Sequence, residues 1–543
     1  MSDLDRRTLL AGIGLTALAV ASQSQAQAQP ANSQPAPSPQ PSGGRSPQQP
    51  AFGYEDVVRR AREISTAPYD GAIAPLPEQL ARLDFDAWRE IRFRSDRSLL
   101  GGAGGRFRLQ LFHLGHLFLK PVTINTIRDG IATPVPYTAS LFDYGRARFD
   151  KPLPVNLGFA GFRLHYPLND PRGSDELLSF IGSSYFRWLG RSQKYGLSAR
   201  GLALNTGLLD NKEEFPFFRE FWIDTPDANA TSITLYALLD SPSVSGAYKF
   251  TFTPGPDTPV DIEATIFPRA PLKLLGMAPL TSMFFLGEND RHMNDRNKYD
   301  EFRAELHDSD GLLIHTAKDE WIWRPIRNPL VQEVHNYPAN NVRGFGLMQR
   351  DRRFEHYQDI ELNYEERPSY WIEPVGNWGE GRIELIELAT KDETFDNTIV
   401  AFIPDRTIET GKPFNFAYRI RSLTDGAELH ALGRTVNTFT APAFALGSAE
   451  AQRADTRRFM IDFADGDMAY YLAQPSLVEI VASATNGKVL RTFLVPNPAI
   501  KGFRAMVDVE LSKDDHTGIT CVLRSNGRPI TETWHWTWKI YNF

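Results

Sequence analysis

The chain has one cysteine, Cys521, among 543 residues. No intrachain disulfide and no cysteine-rich metal site can be built from it, so Cys521 is expected to fill a core position in a late strand. Basic blocks are missing too. The formal net charge is −7 and the lysines and arginines are scattered, which leaves nothing to neutralise a phosphate backbone and excludes nucleic acid as a partner. No apolar run reaches the roughly 20 residues that a membrane helix needs, so no stable membrane insertion is expected of the mature chain. Of 11 histidines only His113 and His116 lie close together; three positions apart in a strand they face opposite ways, and no metal site is expected. A G-x-S-x-G elbow is absent. The stretch "GGAGGRF" (101–107) lacks the Lys-Ser/Thr pair of a phosphate cradle and precedes a strand, so it reads as a loop and no cofactor is implied.

What is present begins with an address. Residues 1–28 carry Arg6-Arg7, a short apolar run from Leu9 to Val20, and Ala26-Gln27-Ala28. This is the layout of a removable export signal of the twin-arginine type, with cleavage after Ala28. Residues 29–51 are rich in Pro, Gln and Ser; such a segment buries too little apolar surface to offset its ordering entropy and reads as a disordered tether. An exported chain without disulfides fits the bacterial periplasm.

Folded structure is expected from Phe52 onward, and the remaining chain is too long for one core. Strand patterns dominate. "RFRLQLFHLGHLFLKPVTINTI" alternates around Gly115 as two half-buried strands would, and "SITLYALLD", "AYKFTFTPG" and "PVDIEATIFPR" repeat the pattern. Helical signals are confined to "YEDVVRRAREIST" and, more weakly, "SMFFLGEND". The 40 glycines and 38 prolines are spread along the chain, which suits many turns. The fold class is therefore mainly β, with a large N-terminal β-sandwich over residues 52–428. Short strands at even spacing then suggest a smaller immunoglobulin-like sandwich of about 100 residues, assigned to 429–543. Its "TWHWTW" run puts Trp534, Trp536 and Trp538 on one strand face, a packing surface.

The motif "HDSDGL" places Asp308 and Asp310 beside Gly311. A calcium loop would need a third oxygen ligand where Leu312 stands and a glutamate where Asp319 stands, so that reading fails. A hairpin turn with Asp310-Gly311 at its tip is the plainer alternative. Around it, Trp321, Trp323, Tyr357, Tyr364, Tyr370, Trp371 and Trp378 are mixed with Glu320, Arg324, Asp359, Arg367, Glu393 and Asp396. Aromatic faces and charged hydrogen-bonding groups together suit a sugar; singly, each aromatic suits a core.

Blocks along the chain resemble the periplasmic glucan biosynthesis family, types G and D: "GFAGFRLHYPLN", "SSYFRWLGRSQKYGLSARGLALNTG", "EFPFFREFWID", "LLDSPSVSGAYKF", "APLTSMFFLGEND", "HDSDGL", "EWIWRP", "GFGLMQRDRRFEHYQD", "RPSYWIEP" and "DETFDN", in that order. The twin-arginine signal makes the chain most like type D. The resemblance implies a large β-sandwich joined to an immunoglobulin-like domain, and a role in making osmoregulated periplasmic glucans, whose backbone is β-1,2-linked glucose. It also implies an anomer-inverting endo-β-1,2-glucanase with Asp396 as general acid, Asp308 as general base and Tyr364 in a proton relay. Glu393, Trp321, Trp323, Arg324, Arg367, Trp371 and Trp378 are the expected substrate-binding residues.

An inverting site needs one protonated carboxyl and one carboxylate. The acid's pKa is expected to be raised by burial against aromatics or by a neighbouring charge, with Asp392 and Glu393 as sources. β-1,2-Glucan is the expected partner; other components of glucan assembly and a second copy of the chain are the further candidates. The alternative is a non-catalytic factor that binds the glucan and controls its backbone. The stretch 291–305 matches the family least and directly precedes Asp308; as a lid or cleft wall it would alter chain-length preference.

Overall fold

The computed structural model describes residues 51–72, 75–101, 104–290, 300–444, 453–512 and 516–540. The expected export signal, the tether up to residue 50 and residues 291–299 lie outside the described residues.

The protein is mainly β. A ten-stranded sheet and a 15-stranded sheet carry most of the chain. Their facing side chains form the main core, in which Phe162, Phe180 and Phe186 of the first sheet stack at 5.1 Å spacings. Phe250 of the second sheet meets Phe180 edge-on at 5.3 Å. Alternating apolar positions on each strand supply these rings to one face, which is the packing that aligned sheets require.

Among the described residues the one long helix, Tyr54–Ser65, forms where the sequence puts it. Its Val57 and Ala61 cover Trp222, Leu238, Ala247 and Phe267 on the outer face of the larger sheet. Phe52 begins the packed region, stacking on Trp222 at 5.2 Å.

One local expectation is corrected. "SMFFLGEND" is not helical: Leu275–Ser282 and Phe284–Leu286 are strands, and the second pairs with Leu306–His307. Burial on both faces hides the period that would have marked them as strands. The run around Gly115 does give two strands, Arg108–Phe112 and Thr123–Arg128, but in different sheets. Gly115 takes a positive φ of 145° in the bend between them, which suits a residue without a Cβ.

Toward the C-terminus, strands Arg434–Pro442, Thr456–Ala464, Gly502–Leu511 and Gly487–Asn497 make a four-stranded sheet. Glu479–Ala484, His516–Ser525 and Thr533–Lys539 belong instead to the 15-stranded sheet, because Thr533–Lys539 pairs in parallel with Trp321–Pro325. Trp534, Trp536 and Trp538 are buried and each packs on Phe459, at 5.8, 6.1 and 6.0 Å. Cys521 is fully buried on the strand beside them. Dividing the chain at 428/429 stays a proposal; the sheet itself crosses that division.

Buried ion pairs reinforce the crossing. Glu532 accepts from Arg350 at 2.6 and 2.9 Å, from His430 at 2.8 Å and from the Thr435 amide at 3.0 Å. A further buried pair links the two large sheets: Glu387, on a strand of the ten-stranded sheet, accepts from Arg324 at 2.9 Å and from the Arg327 amide at 2.8 Å. With their polar atoms met on several sides, these carboxylates can be held in the interior as ions.

Candidate active site

Asp308 and Asp396 stand 88 positions apart (396 minus 308), yet both hang on one short stretch of backbone. The Asp308 amide donates to the Met283 carbonyl at 2.8 Å, and the Asn397 amide donates to the preceding carbonyl, Ser282, at 3.0 Å. Asn397 locks this junction: its Oδ1 accepts from the Phe284 amide at 2.7 Å and its Nδ2 donates to the carbonyls of Phe284 and Leu388 at 2.9 and 3.0 Å. Consecutive residues of one extended segment thus present the two carboxylates.

Asp308 does not sit beside a hairpin turn, as the plainer reading had it. It lies in the crossover between Leu306–His307, in a two-stranded ribbon, and Gly311–His315, in the 15-stranded sheet. Asp310 anchors the crossover by accepting from the amides of Arg350 and Asp351 at 2.8 and 2.9 Å. Gly311 opens a strand, and glycine is required there because an added Cβ would lie 2.2 Å from the Trp323 ring.

Four further side chains converge. Arg367 forms an ion pair with Asp308, and its guanidinium carbon lies 3.7 Å from the Tyr364 ring centroid. The Tyr364 hydroxyl donates to Glu393 Oε2 at 2.7 Å. Arg303 donates to the same carboxylate oxygen at 2.9 Å and to Asp359 at 3.0 Å. Tyr364 and Arg367 come from a 3-10 turn, Tyr364–Glu366, and the residue after it. Burial is the largest influence on the Tyr364 hydroxyl and pushes its pKa up, keeping it a neutral donor.

Asp396 is set apart electrostatically. Its Oδ2 is buried without a hydrogen-bond partner among the described residues. Burial pushes its pKa up to about 6; the charge of Asp308 adds to the rise, while Arg187 and Arg200 oppose it. Burial is one of the two expected causes; the negative charge that adds most to it is that of Asp308, not of Asp392 or Glu393. Asp392 is exposed and capping the Thr394 amide at 2.9 Å, and Glu393 is matched by Arg303.

The structure therefore brings together Asp308, Asp396, Tyr364, Arg367 and Glu393. Of the other expected binding residues, Trp321, Trp323, Arg324, Trp371 and Trp378 are buried against protein groups. Trp321 stacks between protein groups, 3.9 Å from His315 and 5.6 Å from Trp371. Trp323 lies under the Arg350 guanidinium at 3.7 Å. All three of these tryptophans belong to the core shared with the C-terminal strands. Trp378 is in the main core, its Nε1 donating to the Ala417 carbonyl at 3.0 Å, and Arg324 is wholly buried against Glu387. Their strand positions point into protein, so ring density in the sequence marked a core.

Arg187, Arg200 and Arg303 are site residues that sequence reasoning missed. The first two lie on strands Tyr185–Trp188 and Ser198–Arg200. Arg303 lies in the poorly matched stretch 291–305, whose described part forms a wall of the site.

Among the described residues two clusters have metal-like composition: Glu305, Asp351 and His356, and Glu333, His335 and Glu387. Both read as ion-pair networks. Arg324, Arg327 and Lys539 meet the second, and in the first His307 and His356 meet Glu305 while His356 meets Asp351.

The family described as "Periplasmic glucan biosynthesis protein, MdoG" matches residues 52–538. Among similar proteins, glucans biosynthesis protein G of Ralstonia nicotianae is 42% identical over 89% of this chain and 95% of its own length. Probable glucans biosynthesis protein D of Shewanella oneidensis is 41% identical over 91% of this chain and 90% of its own. Glucans biosynthesis protein G of Pseudomonas aeruginosa strain LESB58 is 37% identical, over 89% and 92%.

Proposed function

The chain belongs to the periplasmic glucan biosynthesis family, MdoG, and from that premise we propose that it is a periplasmic endo-β-1,2-glucanase that trims the backbone of periplasmic glucans with inversion at the anomeric carbon. Asp396 is the general acid. It holds a proton near neutral pH because burial disfavours its ion. Asp308, paired with Arg367, is the general base that activates water. A buried carboxyl that keeps its proton, set beside a carboxylate ion-paired with an arginine, is what this chemistry requires. That contrast is the observation that carries the reading. Tyr364, held neutral and bonded to Glu393, is placed to pass a proton between water and the acidic groups.

No helix among the described residues is long and apolar enough to cross a membrane, which accords with a periplasmic protein released after signal removal. β-1,2-Glucan is the proposed ligand, met by Arg367, Glu393 and the charged wall formed by Arg303.

The test is incubation of the protein, from Phe52 onward, with linear β-1,2-glucan, followed by chain-length analysis. Shortening supports the hydrolase. Binding without shortening would replace it with a glucan-holding factor.

A further inference from the structure

Behind Asp308 lies a group the mechanism does not use. The His307 ring is fully buried and stacked on Phe284 at 5.2 Å, with Tyr357 edge-on at 5.4 Å. Its Nε2 lies 3.0 Å from Glu305 Oε2 and its Nδ1 lies 2.8 Å from Gln349 Oε1. The orientation of the Gln349 amide follows from its other partners. Its Nε2 lies 2.9 Å from the His307 carbonyl and 3.2 Å from the Tyr364 carbonyl, both of which can only accept, and 3.1 Å from the Tyr357 hydroxyl. The amide oxygen must then face His307 and accept from it, as the Glu305 carboxylate does on the other side. Two acceptors leave the ring one consistent state, protonated on both nitrogens.

The same amide joins two arms of the site. One arm is His307, whose next residue is Asp308. The other is the Tyr364 turn that presents the phenol and Arg367. We propose that the His307 imidazolium and the Gln349 amide form a buried brace, with His307 and Gln349 acting as positioning residues that hold Asp308 at a set distance from Tyr364 and Arg367. The inference rests on the acid/base reading of Asp308 given above.

The electrostatics agree. Burial alone would lower the His307 pKa, but the bond to Glu305 and the charges of Glu305 and Asp310 outweigh it and bring it to about 9. Glu305 is held from its far side by His356 at 3.2 Å. Glu288, which accepts from the Thr438 amide at 2.9 Å, also feels the imidazolium. His307 is thus surrounded by Glu305, Asp310 and Glu288, with Gln349, Phe284 and Tyr357 completing its neighbours.

Two measurements test the brace. In the wild-type protein carrying nitrogen-15 histidine, NMR at pH 7.5 should show His307 with two slowly exchanging ring N–H protons. A single N–H, the mark of a neutral ring, would overturn the proposal whether or not the protein cleaves glucan. Kinetically, His307→Gln and Gln349→Met should each lower kcat by roughly 10²-fold while KM stays within about twofold, since misplacement of a reacting group falls on the chemical step. Variants that melt cooperatively and keep the wild-type kcat would overturn it. The failure of Asp308→Asn to reduce cleavage would instead remove the underlying reading.

Discussion

The guanidinium carbon of Arg367 lies 3.7 Å from the centroid of the Tyr364 ring, and the same guanidinium pairs with Asp308. One planar cation therefore orders two functional groups at once, which a lysine ammonium cannot do. Arg367→Lys is predicted to lower kcat by about tenfold or more. Reducing-sugar release over a range of β-1,2-glucan concentrations checks this; an unchanged kcat would show that the stacked geometry has no part in the chemistry.

Tyr364→Phe keeps the ring beneath Arg367 and removes the hydroxyl that reaches Glu393. The variant should fold normally and lose about 100-fold or more in kcat, the scale of a lost proton-transfer group. Equal melting temperatures with unequal turnover would separate a relay from a packing role.

The rate should depend on pH through Asp396, whose pKa is raised to about 6. The acid works when protonated, so log kcat should bend near pH 6 and fall by about tenfold per unit above it. The same shift affects stability. Folding favours the protonated form, so the contribution is full below the unfolded pKa and is lost as pH rises through about 6. Asp396→Asn should consequently melt above the wild type at pH 8, by differential scanning calorimetry, even as it loses activity.

Glu387 is buried with Arg324, His335 and the Arg327 amide around it. Burial would raise its pKa, but the charge of Arg324 and the His335 bond outweigh burial and lower it to about 2. Its contribution to stability is therefore present above the unfolded carboxylate pKa and lost as pH falls toward 2. Glu387→Gln, which leaves Arg324 buried and unpaired, should cost about 3–5 kcal/mol at pH 7. Denaturant unfolding measures this, and a change below 1 kcal/mol would contradict it.

Much of this was legible in the sequence, for physical reasons that differ by residue. The helix Tyr54–Ser65 showed its period because one face meets a sheet and the other meets water. The Trp534, Trp536 and Trp538 stripe was readable because strand alternation survives burial on one side. Strands Leu275–Ser282 and Phe284–Leu286 were not, because burial on both faces erases alternation. Asp308, Asp396 and Tyr364 were reachable only through the family resemblance; their meeting depends on adjacent carbonyls of Ser282 and Met283, which no spacing rule encodes. Trp321, Trp323 and Trp371 were ambiguous for the converse reason: an aromatic that packs a junction and one that stacks a sugar look the same in a sequence. Arg187, Arg200, His307 and Gln349 act through tertiary contacts alone.

Asp396 is proposed to donate the proton that releases the leaving sugar. Its most direct test compares wild type and Asp396→Asn on linear β-1,2-glucan, following chain length, optical rotation of fresh product and glucan binding together. The wild type should shorten the glucan with inversion, and the variant should bind it as tightly but leave it whole. An Asp396→Asn protein that still cleaves at the wild-type rate, or a wild type that releases product with retained configuration, would contradict it.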